Sequence, residues 1–129
     1  MTETVKTRIV VADDDLDILD LVVFKLNQAG FDTVAVTNGV AALAAIEAET
    51  TSLAILDIMM PGLSGLDVLR NLRAREATKD LHVILLTARA RDSDVDTGFA
   101  TGANDYVIKL FSPRELMHRV NEVLARGDR

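Results

Sequence analysis

Three short runs in this chain, Ile9–Val11, Leu53–Leu56 and Val83–Leu86, are apolar at every position. A strand with one face in water alternates apolar and polar residues, so an unbroken apolar run fits a strand covered on both faces. Two further β-rich runs, Thr33–Val36 and Tyr106–Ile108, bring the set to five. A helical pattern follows each. Ile18, Leu19, Val22, Val23 and Leu26 recur at helical spacing and make one face, and Gly30 stands where that helix would stop. Ala41–Ala48 is rich in helix formers. Ser64 stands ahead of Leu66, Val68, Leu69 and Leu72, with Asp67 three residues on, which predicts a capping box. Asp92–Thr101 predicts a weaker helix, with few apolar residues and Gly98 inside it. The last helix has Ser112 as its N-cap, Pro113 as its first residue and Glu115 reaching back, with Leu116, Val120, Val123 and Leu124 as its buried face.

Strand then helix, five times over, predicts an α/β fold: a five-stranded parallel sheet, (βα)5, with helices on both faces. Right-handed crossovers restrict the topology. The common small solution is flavodoxin-like, with strand order 2-1-3-4-5; that order is borrowed from known folds rather than derived. The length, 129 residues, suits a single domain over 1–129 with an ordered core of about 8–126. A formal net charge of −6 argues against a free-standing nucleic-acid binder and against a basic membrane-surface helix. With no cysteine, disulfides, thiolate zinc sites and cysteine nucleophiles are excluded. The polar start Met1–Thr7 has no apolar signal region, and no apolar run approaches membrane-spanning length. A cytoplasmic location without membrane contact is expected.

In a sheet of this kind, ligands bind beyond the carboxyl ends of the strands. Asp13, Asp14 and Asp15 follow the first run, Asp57 ends the third, Thr87 the fourth and Lys109 the fifth. The second ends in Thr37-Asn38. Carboxylates crowded on one rim repel one another unless a cation relieves them. Oxygen ligands suit Mg²⁺, which takes one or two carboxylates, waters and a phosphate oxygen. A lysine ammonium can offset a carboxylate and donate to a phosphate, and a threonine hydroxyl can donate to a phosphate oxygen. These parts suit phosphoryl transfer, which depends on positioning and charge neutralisation. Asp57, ahead of the Pro61-Gly62 turn, is the natural nucleophile, and its attack yields an acyl phosphate. Each part alone has a plainer reading: Asp15 or Asp17 as a helix cap, Thr87 as structural, Lys109 as solvated, Pro61-Gly62 as a turn. Their placement at successive strand ends carries the argument.

As an ordered set, five stretches resemble the response-regulator receiver domains of two-component signalling. They are Ile9–Asp15, Leu56–Gly65, Leu86–Arg89, Thr101–Tyr106 and Lys109–Leu116. The resemblance covers almost the whole chain. It implies that Asp57 is the phosphoacceptor, with a sensor histidine kinase as donor. It implies a Mg²⁺ ion held by Asp14 directly, by Asp13 through water, by Asp57 and by the Met59 carbonyl. Thr87, Ala88 and Lys109 match phosphate-contacting positions, and Thr87 with Tyr106 the switch. Met59 and Arg89 match positions that tune the lifetime of the phosphate. The implied role is a switch that controls an output domain or a downstream protein, not a turnover enzyme. His82 and His118 match no functional position and are read as structural.

The details around Thr87 and Asp105 look like receivers of the subfamily with a C-terminal winged-helix DNA-binding domain. Residues 1–129 are expected to hold the receiver without an output domain, whether free-standing or excised from a longer regulator, and direct nucleic-acid binding by this domain is not expected. That subfamily dimerises through its fourth helix, fifth strand and fifth helix. Val95, Ala100 and Asn121 depart from its charge pairs while Asp105 and Arg119 keep theirs, so dimerisation in that mode is expected to be weak. Leu110 replaces the family's proline after Lys109. Because a non-proline amide strongly prefers trans, the Lys109–Leu110 bond is expected to be trans, shifting Lys109 away from Asp57. Three other readings compete with this one. A small aspartate-dependent phosphatase needs Thr or Val where Asp17 stands. A calcium loop through Asp13, Asp15 and Asp17 needs Gly at Ile18 and Glu at Phe24. A receiver-like interaction module that is never phosphorylated is the remaining alternative, with Leu110 its one support.

Overall fold

A computed structural model describes residues 6–88 and 92–126, the side chains of 92–96 excepted. Strands and helices alternate: β1 (Arg8–Ala12), α1 (Leu16–Gln28), β2 (Asp32–Val36), α2 (Gly39–Ala48), β3 (Leu53–Asp57), α3 (Gly65–Ala74), β4 (His82–Thr87), α4 (Asp92–Thr101), β5 (Asp105–Ile108) and α5 (Pro113–Arg126). The strands form one sheet in the order β2-β1-β3-β4-β5, and every neighbouring pair is parallel. The expected fold and strand order are both present.

The unbroken apolar runs occupy the central strands. Along them, alternate side chains face opposite ways. Ile9 and Val11 of β1, Ile55 of β3 and Ile84 and Leu86 of β4 pack under α1 and α5, against Leu19, Val22, Leu26, Leu116 and Val120. Val10, Ala12, Ala54, Leu56, Val83 and Leu85 face the other way, against Ala42 and Ile46 of α2 and Val68, Leu69 and Leu72 of α3. Fully burying one such aliphatic side chain contributes about 1.5–3 kcal/mol. Register is therefore firmly held, because a one-residue slip would exchange the two cores. The same register sets which residues arrive together at the carboxyl rim. Leu56 of β3 lies beside Ala12 of β1 and Leu85 of β4, and Thr87 lies beside Ile108.

Local chemistry fixes the helix starts. Asp15 is the N-cap of α1, its Oδ1 accepting from the N–H groups of Asp17 and Ile18. Asn38 caps α2 by accepting from Ala41 N. The predicted capping box is present: Asp67 N donates to Ser64 Oγ and Ser64 N to Asp67 Oδ2, both at 3.1 Å. Those bonds with Ser64 hold the Asp67 carboxyl below its ordinary value. Ser112 Oγ accepts from Glu115 N at 3.0 Å, as the cap of α5 requires. At the far end of α1, Gly30 takes φ of +95°, a left-handed conformation that closes the helix with little steric cost.

Candidate functional site

Four strand ends deliver the polar residues. Asp13 follows β1 and is wholly buried; its Oδ1 accepts from Asp15 N at 2.9 Å. Asp57 closes β3 and is 3% exposed, and its Oδ1 accepts from Met59 N at 3.1 Å. Thr87 closes β4, buried, and its carbonyl accepts from Lys109 N at 2.7 Å. That bond holds the start of the β5–α5 loop against β4. Lys109 Nζ then stands 2.9 Å from Asp13 Oδ2 and 3.3 Å from Asp57 Oδ2. Asp57 and Lys109 line an open depression of about 400 Å³ together with Asp14, Asp15, Met59 and Ala88.

The charges in this depression are out of balance. Burial and the Asp13 carboxylate push the Asp57 carboxyl from 3.8 up to about 7, against the opposing pull of Lys109 and the Met59 N–H. Burial also works against the Lys109 ammonium, but the hydrogen bond and charge of Asp13 and the charge of Asp57 outweigh it and raise its pKa. Among the described residues, one ammonium thus faces several carboxylates. Asp13, Asp14 and Asp57 each bring an oxygen within 4.8 Å of the other two. Among the described residues, the buried Asp13 Oδ2 has only the Lys109 ammonium as a partner, and that ammonium is shared with Asp57. Buried carboxylates that share one cation gain from a second that offsets their repulsion. An all-oxygen donor set with one exposed and two buried carboxylates fits a hard divalent cation that keeps part of its water shell.

The model of the response regulator receiver domain family matches residues 9–121. This chain belongs to that family. The receiver is 39% identical over 126 residues to the DNA-binding response regulator MtrA of Mycobacterium tuberculosis, a match covering 98% of this chain and 54% of that protein. The chain therefore spans about half the length of the curated relatives it matches. Among solved structures, it resembles the BeF3-activated receiver domain of DrrB (36% identity, TM-score 0.84, covering 94% of this chain and 99% of that one). It also resembles a CheY-like receiver domain protein from Methanospirillum hungatei (28% identity, TM-score 0.88, covering 95% and 96%). A receiver of this kind is a phosphoacceptor signalling switch, and no helix among the described residues is long and apolar enough to cross a membrane.

Asp13, Asp14, Asp57, Met59, Thr87, Ala88 and Lys109 thus lie together at the carboxyl rim of the receiver. Tyr106 stands apart from them. It lies on β5 beside Leu85, with its ring edge-on to Phe99 of α4, centroids 5.5 Å apart and planes at 78°. Arg89 lies outside the described residues, as does the side chain of Val95. His82 starts β4, at the opposite end of the sheet, and His118 is exposed on α5, 4.0 Å from Glu122. Arg119 pairs with Asp105 of the same chain through both carboxylate oxygens, at 3.0 and 3.2 Å.

The expectation of a trans Lys109–Leu110 bond is wrong: the bond is cis, and Lys109 is not turned away from Asp57. The loop is held on both sides. Lys109 is anchored through its backbone to Thr87 and through its ammonium to two carboxylates, while Phe111 is buried under α1 and α5. Leu110 between them is 93% exposed. An aromatic at Phe111, in the loop ahead of α5, was the available signal that this loop is anchored in the core. Gly65 was also missed as a functional position, although it stood in a quoted motif. It is buried behind Asp57, where a Cβ would collide with the Asp57 backbone.

Proposed function

We propose that this receiver takes a phosphoryl group onto Asp57 from a sensor histidine kinase, with Mg²⁺ held by Asp13, Asp14, Asp57 and the Met59 carbonyl. The observation that carries the reading is the position of Lys109, within ion-pair distance of both Asp13 and Asp57 at the mouth of an acidic depression. An Asp57 carboxylate oxygen attacks phosphorus, the P–N bond to the donor imidazole breaks, and the nitrogen keeps the electron pair. The product is an acyl phosphate at Asp57. Bound Mg²⁺ would supply charge neutralisation between the attacking carboxylate and the phosphoryl oxygens. Lys109 pairs with the transferred group as it leaves Asp57 Oδ2, Ala88 contacts it, and the Thr87 hydroxyl follows it. Tyr106 answers Thr87, and the changed surface controls an output domain or a downstream protein. That a related receiver, DrrB, has a BeF3-activated form is in keeping with a phosphoryl-accepting switch. The position of Lys109 despite Leu110 weakens the reading of an unphosphorylated module. The domain acts as a single cytoplasmic switch rather than a turnover enzyme.

Incubation with acetyl phosphate and Mg²⁺ is expected to add one acid-labile phosphoryl group, read as a mass increase and mapped to the peptide containing Asp57. No adduct under saturating donor would reject the proposal. Mg²⁺ alone is expected to bind with roughly millimolar affinity, as suits a hydrated site with few protein ligands. An NMR titration that moves neither Asp14 nor Asp57 would contradict the metal assignment.

Met59 is 73% exposed at the edge of the depression. With Arg89, it is expected to shield the acyl phosphate from water. Replacing both by alanine should shorten the phosphate lifetime, and Met59→Ala alone should do so in part. A lifetime that is unchanged or longer in the double variant would show that shielding is not their role.

A further inference from the structure

The C-terminal end of α4 is tied down by a side chain from α3. Arg73 donates to the Gly102 carbonyl from Nε at 3.0 Å and from a terminal nitrogen at 2.7 Å. The same terminal nitrogen reaches Asn104 Oδ1 at 3.4 Å, and the other reaches the Thr78 carbonyl at 3.5 Å. Asn104 extends the tie into the sheet: its Oδ1 accepts from Val83 N at 2.7 Å, and its N–H donates to Val83 O at 2.8 Å. Gly102 takes φ of +111°, and a Cβ there would come within 2.9 Å of Arg73 Nε, so the guanidinium occupies space that glycine leaves open. Burial pulls the pKa of Arg73 down, opposed by Asp80. An arginine keeps its charge even so, and a cation at the negative end of a helix is favourably placed.

Phe99, in the last turn of α4 and three residues ahead of Gly102, meets the ring of Tyr106, the moving part of the proposed switch. A last turn that is held fast gives Tyr106 a fixed wall to turn against. We propose that Arg73 is a positioning residue for the switch: it holds the last turn of α4, and Phe99 with it, in place, so that movement at Thr87 is expressed as a change in the Phe99–Tyr106 contact. This inference rests on the proposed phosphorylation of Asp57.

Tyr106 is the chain's one tyrosine and there is no tryptophan, so tyrosine emission reports on this contact. Mg²⁺ and beryllofluoride serve as the probe, with occupancy read separately from the bound-fluoride signal in ¹⁹F NMR. At full occupancy, the wild-type domain should change its Tyr106 emission, and Arg73→Met should show less than about half that response, as expected when a coupling element is removed. Amide exchange at Gly102 and Ala103 should rise roughly tenfold or more in the variant, while β1 and β3 amides keep their protection, because two charge-assisted bonds are lost locally. Should Arg73→Met fail to fold, Arg73→Lys decides, since it keeps the charge but loses the two-pronged contact; an undiminished response in that variant would overturn the role. With bound fluoride present, a full response in Arg73→Met, or none in the wild type, would likewise overturn it. The lack of any bound-fluoride signal in the wild type would instead overturn the phosphorylation reading beneath it.

Discussion

Asp57→Asn is expected to abolish acid-labile phosphorylation and, in the absence of Mg²⁺, to make the domain more stable than the wild type above neutral pH. The first effect follows from chemistry: an amide is no nucleophile toward phosphorus, and the two side chains are nearly isosteric, so the fold survives. The second follows from the charges around Asp57. Its carboxyl is raised from 3.8 to about 7 by burial and by Asp13. The folded metal-free domain therefore holds a proton across that interval that the unfolded chain has released. Stability must then fall as pH rises through the window, with the full loss reached above about 7. For one group shifted this far, the loss is on the order of 2–4 kcal/mol. The variant lacks that loss, although it gives up one partner of Lys109, which keeps Asp13.

In melting experiments with a chelator at pH 8, the gap should favour Asp57→Asn by roughly 5 °C or more. At pH 5 it should shrink, because the wild-type carboxyl is then protonated. Added Mg²⁺ should shrink it too, by relieving the crowded carboxylates only where Asp57 is present. A wild-type domain that is the more stable of the two at pH 8 without metal would show that Lys109 already balances the site. A persistent phosphoryl adduct in the variant, with the same count of sites, would remove Asp57 from its assigned role.

The fold could be read from the chain because its signals are local. Ile9–Val11, Leu53–Leu56 and Val83–Leu86 need covering on both faces wherever they lie, and Ser64 with Asp67 caps its helix through residues three apart. The site was legible for a related reason: in a parallel sheet, Asp13, Asp57, Thr87 and Lys109 each sit at a strand end, so topology alone brings them to one rim. What escaped depends on contacts between distant segments. The Lys109–Leu110 bond lies in a loop anchored at Lys109 and Phe111 to distant segments, and local amide preference pointed away from the cis isomer found there. The tie from Arg73 to Gly102 joins residues 29 apart. Asp105 and Arg119 announced a charge pair, but no pattern in the sequence said that they meet within one chain.

Gly65→Ala should damage both stability and phosphorylation, although alanine is the better helix former. Gly65 opens α3, and its N–H donates to the Ile58 carbonyl at 3.0 Å, closing the turn that follows Asp57. A Cβ there would overlap the Asp57 carbonyl oxygen and come within 2.9 Å of the carbonyl carbon and 3.0 Å of Ile58 Cα. All three are backbone atoms, so no flexible side chain can yield. Either α3 moves outward, loosening Leu69 and Leu72 in the core, or the strand end moves and carries the Asp57 carboxylate off line from Lys109. Overpacking of this kind costs about 1–3 kcal/mol. Gly62 provides the control. It has φ of +75° but nothing within 4 Å of an added Cβ, so Gly62→Ala meets only the strain of a left-handed residue, roughly 1–2 kcal/mol. The two variants should therefore lose comparable stability yet part in function. Gly65→Ala should be phosphorylated by acetyl phosphate at well under the wild-type rate, and Gly62→Ala at close to it. Equal rates in the two would mean that Asp57 keeps its place when the turn behind it is forced open, and that Gly65 serves packing alone.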